Sequence, residues 1–76
     1  MKHHERRIKS IGDEIRLARL LQYLSQSEVA RQLRTTQPMI SAFENGVVLP
    51  GKKMRKRLEE VLGIPPQHTK RVRSRD

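Results

Sequence analysis

The chain has 76 residues, 17 of them Lys or Arg against 8 Asp or Glu, a formal charge of +9, and no cysteine or tryptophan. That length allows one small domain, with no room for a separate ligand-sensing or self-cleaving domain or a large catalytic cleft. No run approaches the ~18 apolar residues of a membrane span, the first residues lack the apolar stretch of a signal peptide, and the lack of cysteine removes disulfides and thiolate zinc sites. A reducing cytoplasm is the expected compartment. So basic a chain suits polyanions, nucleic acid before an anionic membrane surface. With only Tyr23 and Phe43 as aromatics, base stacking is a poor prospect, and duplex DNA is preferred over single strands.

The charge is unevenly spread. Residues 1–10 carry Lys2, Arg6, Arg7 and Lys9 against Glu5, for +3. Residues 11–50 are neutral, with Arg16, Arg19, Arg31 and Arg34 against Asp13, Glu14, Glu28 and Glu44. Residues 51–64 carry Lys52, Lys53, Arg55, Lys56 and Arg57 against Glu59 and Glu60, for +3. Residues 65–76 carry Lys70, Arg71, Arg73 and Arg75 against Asp76, again +3.

Helix signals punctuate the neutral centre. Ser10, with Asp13 three residues on, is placed to cap a first helix whose apolar positions Ile11, Ile15, Ala18 and Leu21 follow helical spacing. Ser25-Gln26-Ser27-Glu28 reads as a capping box for a second, followed by Val29, Ala30 and Leu33. Thr36 is placed to cap a third, with Pro38 tolerated in its first turn, Ile40 and Phe43 facing inward, and Gly46 as a left-handed stop. A last helix begins near Pro50, buries Met54, Leu58, Val61 and Leu62, and ends at Gly63. No segment alternates as a strand does. The expected fold is all-α, a compact bundle of four to five short helices, about 11–22, 26–33, 37–45 and 51–62.

So short a link between the second and third helices, Arg34-Thr35 and the cap Thr36, makes them cross steeply, as in a helix-turn-helix. Residues 11–64 resemble the lambda-repressor-like family of Cro/C1, or XRE, type. The resemblance rests on Ile11-Gly12, Ile15-Arg16 and Arg19, then Leu24-Ser25-Gln26-Ser27-Glu28-Val29-Ala30 and Leu33. It continues through Thr35-Thr36-Gln37, Ile40-Ser41, Phe43-Glu44-Asn45-Gly46, Pro50 and Leu62-Gly63-Ile64. The small Ala30 fits the point where the second and third helices meet. The chain departs from the family at Tyr23 and Arg34, where members often have a turn glycine. Either those turns differ slightly here, or a steric cost of ~1 kcal/mol is absorbed.

The resemblance lays the third helix in the major groove. Gln37 is then the candidate base reader, able to bond adenine N6 and N7 together. Pro38, Met39 and Ala42 are candidates for thymine methyl contacts, with partial burial the other reading of Met39. Gln26, at the start of the second helix, and Asn45, at the end of the third, become phosphate contacts, and Thr36 a cap first and a phosphate donor second. Arg19 and Glu44 are expected to form a structural ion pair rather than a catalytic one. Lys52, Lys53, Arg55, Lys56 and Arg57 crowd a helix start that prefers acids; phosphate contact, led by Lys52 and Lys53, is the favoured reading over a solvated basic face. Val47, Val48 and Leu49 form an apolar loop, read either as a contact with a second subunit or as packing onto the protein's own core.

The basic N-terminal arm (1–10) and C-terminal tail (65–76) flank the helix-turn-helix domain (11–64) and are candidates for backbone or groove contact, or for solvated charge runs. His3, His4 and His68 have no ligand spacing, and no catalytic signature appears, so neither a metal, nor a cofactor, nor an enzyme is expected. The leading expectation is a sequence-specific repressor of phage or prokaryotic type, acting as a homodimer on double-stranded DNA in the cytoplasm. The rival within the same fold is an antitoxin that neutralises a toxin partner and regulates its own promoter. A rival of another class is a basic RNA- or membrane-surface protein in which the helices are only a scaffold.

Overall fold

The computed structural model describes residues 10–66. In chain order it contains α1 (Ile11–Leu21), α2 (Gln26–Gln32), α3 (Gln37–Glu44) and α4 (Lys52–Leu62), with no strand among the described residues. The all-α helix-turn-helix architecture expected from the sequence is the one observed, each helix end falling within one residue of its expected position.

Three of the four helices start on a side-chain cap. The Ser10 hydroxyl accepts the Asp13 amide at 3.1 Å, and the Thr36 hydroxyl accepts the Met39 amide at 3.3 Å. At α2 the box is reciprocal: Ser25 accepts the Glu28 amide at 3.0 Å, and the Glu28 carboxylate accepts the Ser25 amide at 2.7 Å. Each cap satisfies an amide that the first helical turn leaves unpaired, worth about 1 kcal/mol. α4 differs, starting at Lys52 after Gly51 with no side-chain cap and no acid in its first turn.

The first three helices share one way of stopping. The Leu24 amide reaches the Arg19 carbonyl and the Tyr23 amide the Leu20 carbonyl; Thr35 reaches Ala30 and Arg34 reaches Arg31; Val47 reaches Ala42 and Gly46 reaches Phe43. These are Schellman closures, which require a left-handed residue just past each helix. Tyr23 (φ 58°), Arg34 (φ 61°) and Gly46 (φ 75°) fill that role. Glycine does so freely, whereas Tyr23 and Arg34 carry the Cβ clash of the left-handed region, roughly 1–2 kcal/mol each. The turns therefore keep the geometry a glycine would give, and the side chains bear the cost.

Ile15, Val29, Ala30, Leu33, Ile40, Phe43, Leu58, Leu62 and Ile64 form the core, with Ile11, Ala18, Leu24 and Met54 packed on its edge. α2 packs chiefly on α3, α3 on α1, and α1 on α4. Gly12 sets the approach of α1 to α3: a methyl group there would lie 2.5 Å from the carbonyl oxygens of both Phe43 and Glu44.

Two expected core positions are exposed. Leu21 lies about 120° around the helix from Ile15 at ~100° per residue and is 69% exposed. Gln22, the residue capping the end of α1, turns its amide onto the Leu62 carbonyl at 2.9 Å, tying the end of α1 to the end of α4. Val61 is also exposed, flanking the Met54–Leu58–Leu62 row in the last turn of α4. With Leu17, Leu20 and Tyr23, Leu21 leaves a solvent-facing apolar strip at the end of α1.

Candidate nucleic-acid interface

The helix-turn-helix is organised around one buried charge. Glu44, at the last turn of α3, is 4% exposed, the one buried charged residue among those described. Arg19 grips it with two parallel bonds, Nε to Oε2 at 2.7 Å and Nη2 to Oε1 at 3.1 Å. Its Nη1 also donates to the Leu24 carbonyl at 3.0 Å. Arg16 adds a contact from Nε to Oε1 at 3.3 Å, and Gln26 another from Nε2 to Oε1 at 3.1 Å. Burial by itself pushes the Glu44 carboxyl upward, but the donors Arg19, Gln26 and Arg16 and the Arg19 charge outweigh it, so the carboxyl stays ionised below its ordinary range. The bond from Glu44 holds Arg19 above its ordinary value.

From this centre a chain of side chains runs outward to the start of α3. An ionised carboxylate only accepts, so Gln26 must turn its NH2 to Glu44 and its carbonyl oxygen the other way. That oxygen accepts from Gln37 Nε2 at 2.7 Å. Gln37, exposed in the first turn of α3, thus keeps one amide N–H and its carbonyl oxygen for solvent or a ligand. Its neighbours Pro38 and Met39 are exposed and Ala42 is half-buried, while Ile40, Phe43 and Glu44 face inward.

The other candidates fall into groups. Gln26 has its carbonyl oxygen and one N–H engaged in the fold, leaving one N–H outward. Asn45 accepts from Arg16 Nη2 at 3.1 Å and donates to the Ser41 hydroxyl at 3.3 Å, so it too is held by the ionic centre. Thr36 accepts a backbone amide, and its own O–H stays free to donate. Lys52 and Lys53 are exposed at the start of α4. Farther along that helix Arg55 pairs with Glu59 at 3.5 Å and reaches the Pro65 carbonyl, and Arg57 Nη1 donates to the Leu33 carbonyl at 3.2 Å. Val47 and Leu49 project into solvent rather than onto the protein's own core. Lys2, Arg6, Arg7, Lys9, Lys70, Arg71, Arg73 and Arg75 lie outside the described residues.

Sequence reasoning named Arg19 with Glu44 but missed Arg16 as a second guanidinium on the same carboxylate. It also missed the bond joining Gln26 to Gln37. A spacing of one helical turn between Arg16 and Arg19 was the available signal for the first. The second depends on how α2 meets α3, which no local pattern encodes.

Among the described residues there is no group of three or more His, Asp or Glu able to hold a metal ion, and no helix long and apolar enough to cross a membrane. No curated protein sequence matches the chain. The profile of the helix-turn-helix family matches residues 15–68, which span all of α2, α3 and α4 and most of α1. The chain belongs to the helix-turn-helix family of Cro/C1 (XRE) type, a family of DNA-binding regulators.

Proposed function

We propose that the protein is a sequence-specific double-stranded DNA-binding repressor that lays α3 in the major groove and reads adenine with Gln37. The observation that carries this is the polarity imposed on Gln37. The buried Glu44 charge fixes Gln26, and Gln26 fixes Gln37, so that one acceptor and one donor stand side by side at the exposed start of α3. Adenine offers the complementary pair, the N6 donor and the N7 acceptor, whereas guanine offers two acceptors. Thr36, Gln26, Asn45, Lys52 and Lys53 then hold the phosphates on either side, and the exposed Val47–Leu49 loop is the contact with a second copy. A dimer would span half-sites about 34 Å apart, one helical turn of DNA. Occupying a promoter blocks polymerase, in a prokaryotic or phage-infected cytoplasm.

Selection from a random duplex pool at ~150 mM salt tests this reading, since non-specific binding is weak there. An enriched motif whose adenine preference disappears with Gln37→Ala is the expected result. A pool that stays random, or a motif that Gln37→Ala leaves intact, overturns it.

The solvent-facing strip Leu17, Leu20, Leu21 and Tyr23 favours a second reading, an antitoxin whose α1 holds a small protein partner while α3 holds its promoter. Co-purification of such a partner from its native cell, abolished by Leu20→Glu with Leu21→Glu, separates the two readings.

A further inference from the structure

We propose that Arg34, in the turn between α2 and α3, is a DNA-phosphate contact kept in a strained backbone position for that purpose; the inference rests on α3 entering the major groove. Three observations meet at this residue. Its φ of 61° is the left-handed geometry that glycine fills at no steric cost, as Gly46 does in the matching closure of α3. Such strain clusters at functional sites; Tyr23 shares the geometry but brings no charge. The side chain is exposed, and none of the ion pairs among the described residues engages it.

The neighbourhood makes a purely structural role insufficient. A cation beside the last carbonyls of a helix is favourable, but Arg57 already supplies one, donating to the Leu33 carbonyl one residue before Arg34. A second guanidinium at the same helix end adds repulsion rather than a missing bond. Lys53 lies one turn before Arg57 on α4, so basic groups run from α4 to the turn. An anion on this strip resolves the repulsion.

Reach agrees. Arg34 is three residues from Gln37, hence at most about 11 Å away along the chain. The major groove is about 12 Å wide, so with Gln37 at its floor the groove wall, where the phosphates are, lies within the reach of an arginine that near. Phosphate oxygens match the guanidinium fork.

The test uses the full chain with Arg34→Gly and Arg34→Lys, on the duplex selected by the unmodified protein, with affinity measured across 50–300 mM KCl. Arg34→Gly is expected to raise the unfolding midpoint, weaken DNA binding several-fold, and lower the slope of log K against log salt by about 0.9, one phosphate contact. Arg34→Lys is expected to keep most of the slope, and neither variant to change the selected motif. An unchanged slope and affinity in Arg34→Gly overturn the assignment, as does an altered base preference, which would make Arg34 a reader. If the unmodified chain enriches no motif, the sequence-specific reading fails instead, and the slope comparison on a mixed-sequence duplex still decides Arg34.

Discussion

The two ends of α3 are made for opposite tasks. Its last turn carries Glu44, buried and gripped by two arginines from α1, with Gly12 pressed against the carbonyls of Phe43 and Glu44. Its first turn carries Gln37, Pro38 and Met39, all exposed, with one inward bond from Gln37 to Gln26. One end is therefore an anchor and the other, on the proposed function, a reading head, joined through a single glutamine of α2. The orientation of the Gln37 amide is set from seven residues away, by the buried Glu44 charge acting through Gln26.

The sharpest way to break this arrangement is at the anchor. Gly12→Ala forces a methyl group against two backbone oxygens that no rotamer change relieves. It is expected to cost more than about 3 kcal/mol, a large share of the 5–15 kcal/mol typical of a small domain. Circular dichroism on heating checks it, and a near-native unfolding midpoint would show that α1 can shift away from α3 freely.

Glu44→Gln is next, at about 3 kcal/mol, because it leaves Arg16 and Arg19 without their counter-charge. This charge also carries a pH signature. The Glu44 carboxyl is lowered in the folded state, despite burial, by Arg19, Gln26 and Arg16. Glu28 is lowered too, first by the Ser25 amide and then by the Ser25 hydroxyl. Stability from a lowered carboxyl is present above its unfolded value, about 4.3, and is lost as pH falls through the folded value. Urea midpoints are thus expected to hold from pH 7 to about 5 and fall below about 4. In Glu44→Gln the acid fall is shallower, and an equally steep fall would remove Glu44 from the account.

At the exposed start of α3 a substitution has a different outcome. Gln37→Ala is expected to leave stability within about 0.5 kcal/mol while losing about 1–3 kcal/mol of discrimination at one base pair. Parallel melting and binding curves read both. The smallest effect has the opposite sign: Tyr23→Gly relieves a left-handed tyrosine that is 94% exposed and is expected to stabilise by about 1 kcal/mol. A destabilised variant would mean that the Tyr23 ring packs on something its exposure does not reveal.

These contrasts mark where the sequence could be read. Helix starts and stops are local chemistry: Ser10, the Ser25–Glu28 box, Thr36, Gly46 and Gly63 each act within a few residues of themselves, so the boundaries were legible. The left-handed turns at Tyr23 and Arg34 were legible as a question, and the Schellman bonds answer it. Leu21 was misplaced because a hydrophobic residue near the right period looks inward, while the contact from the end of α1 to α4 is made by the Gln22 amide. The Gly12 contact and the Glu44–Gln26–Gln37 chain arise only when three helices meet.

That chain of side chains also bounds how the protein could evolve new binding preferences. A polar residue replacing Gln37 and reaching as far meets the Gln26 carbonyl oxygen, which is fixed in place by Glu44. Lysine or arginine brings a donor, as Gln37 does, and so is compatible with that acceptor. Aspartate or glutamate, the readers suited to cytosine, would set acceptor against acceptor and turn Gln26 away from Glu44. On the proposed function, the buried carboxylate thus acts as a filter on position 37, favouring donors over acids before any DNA is met.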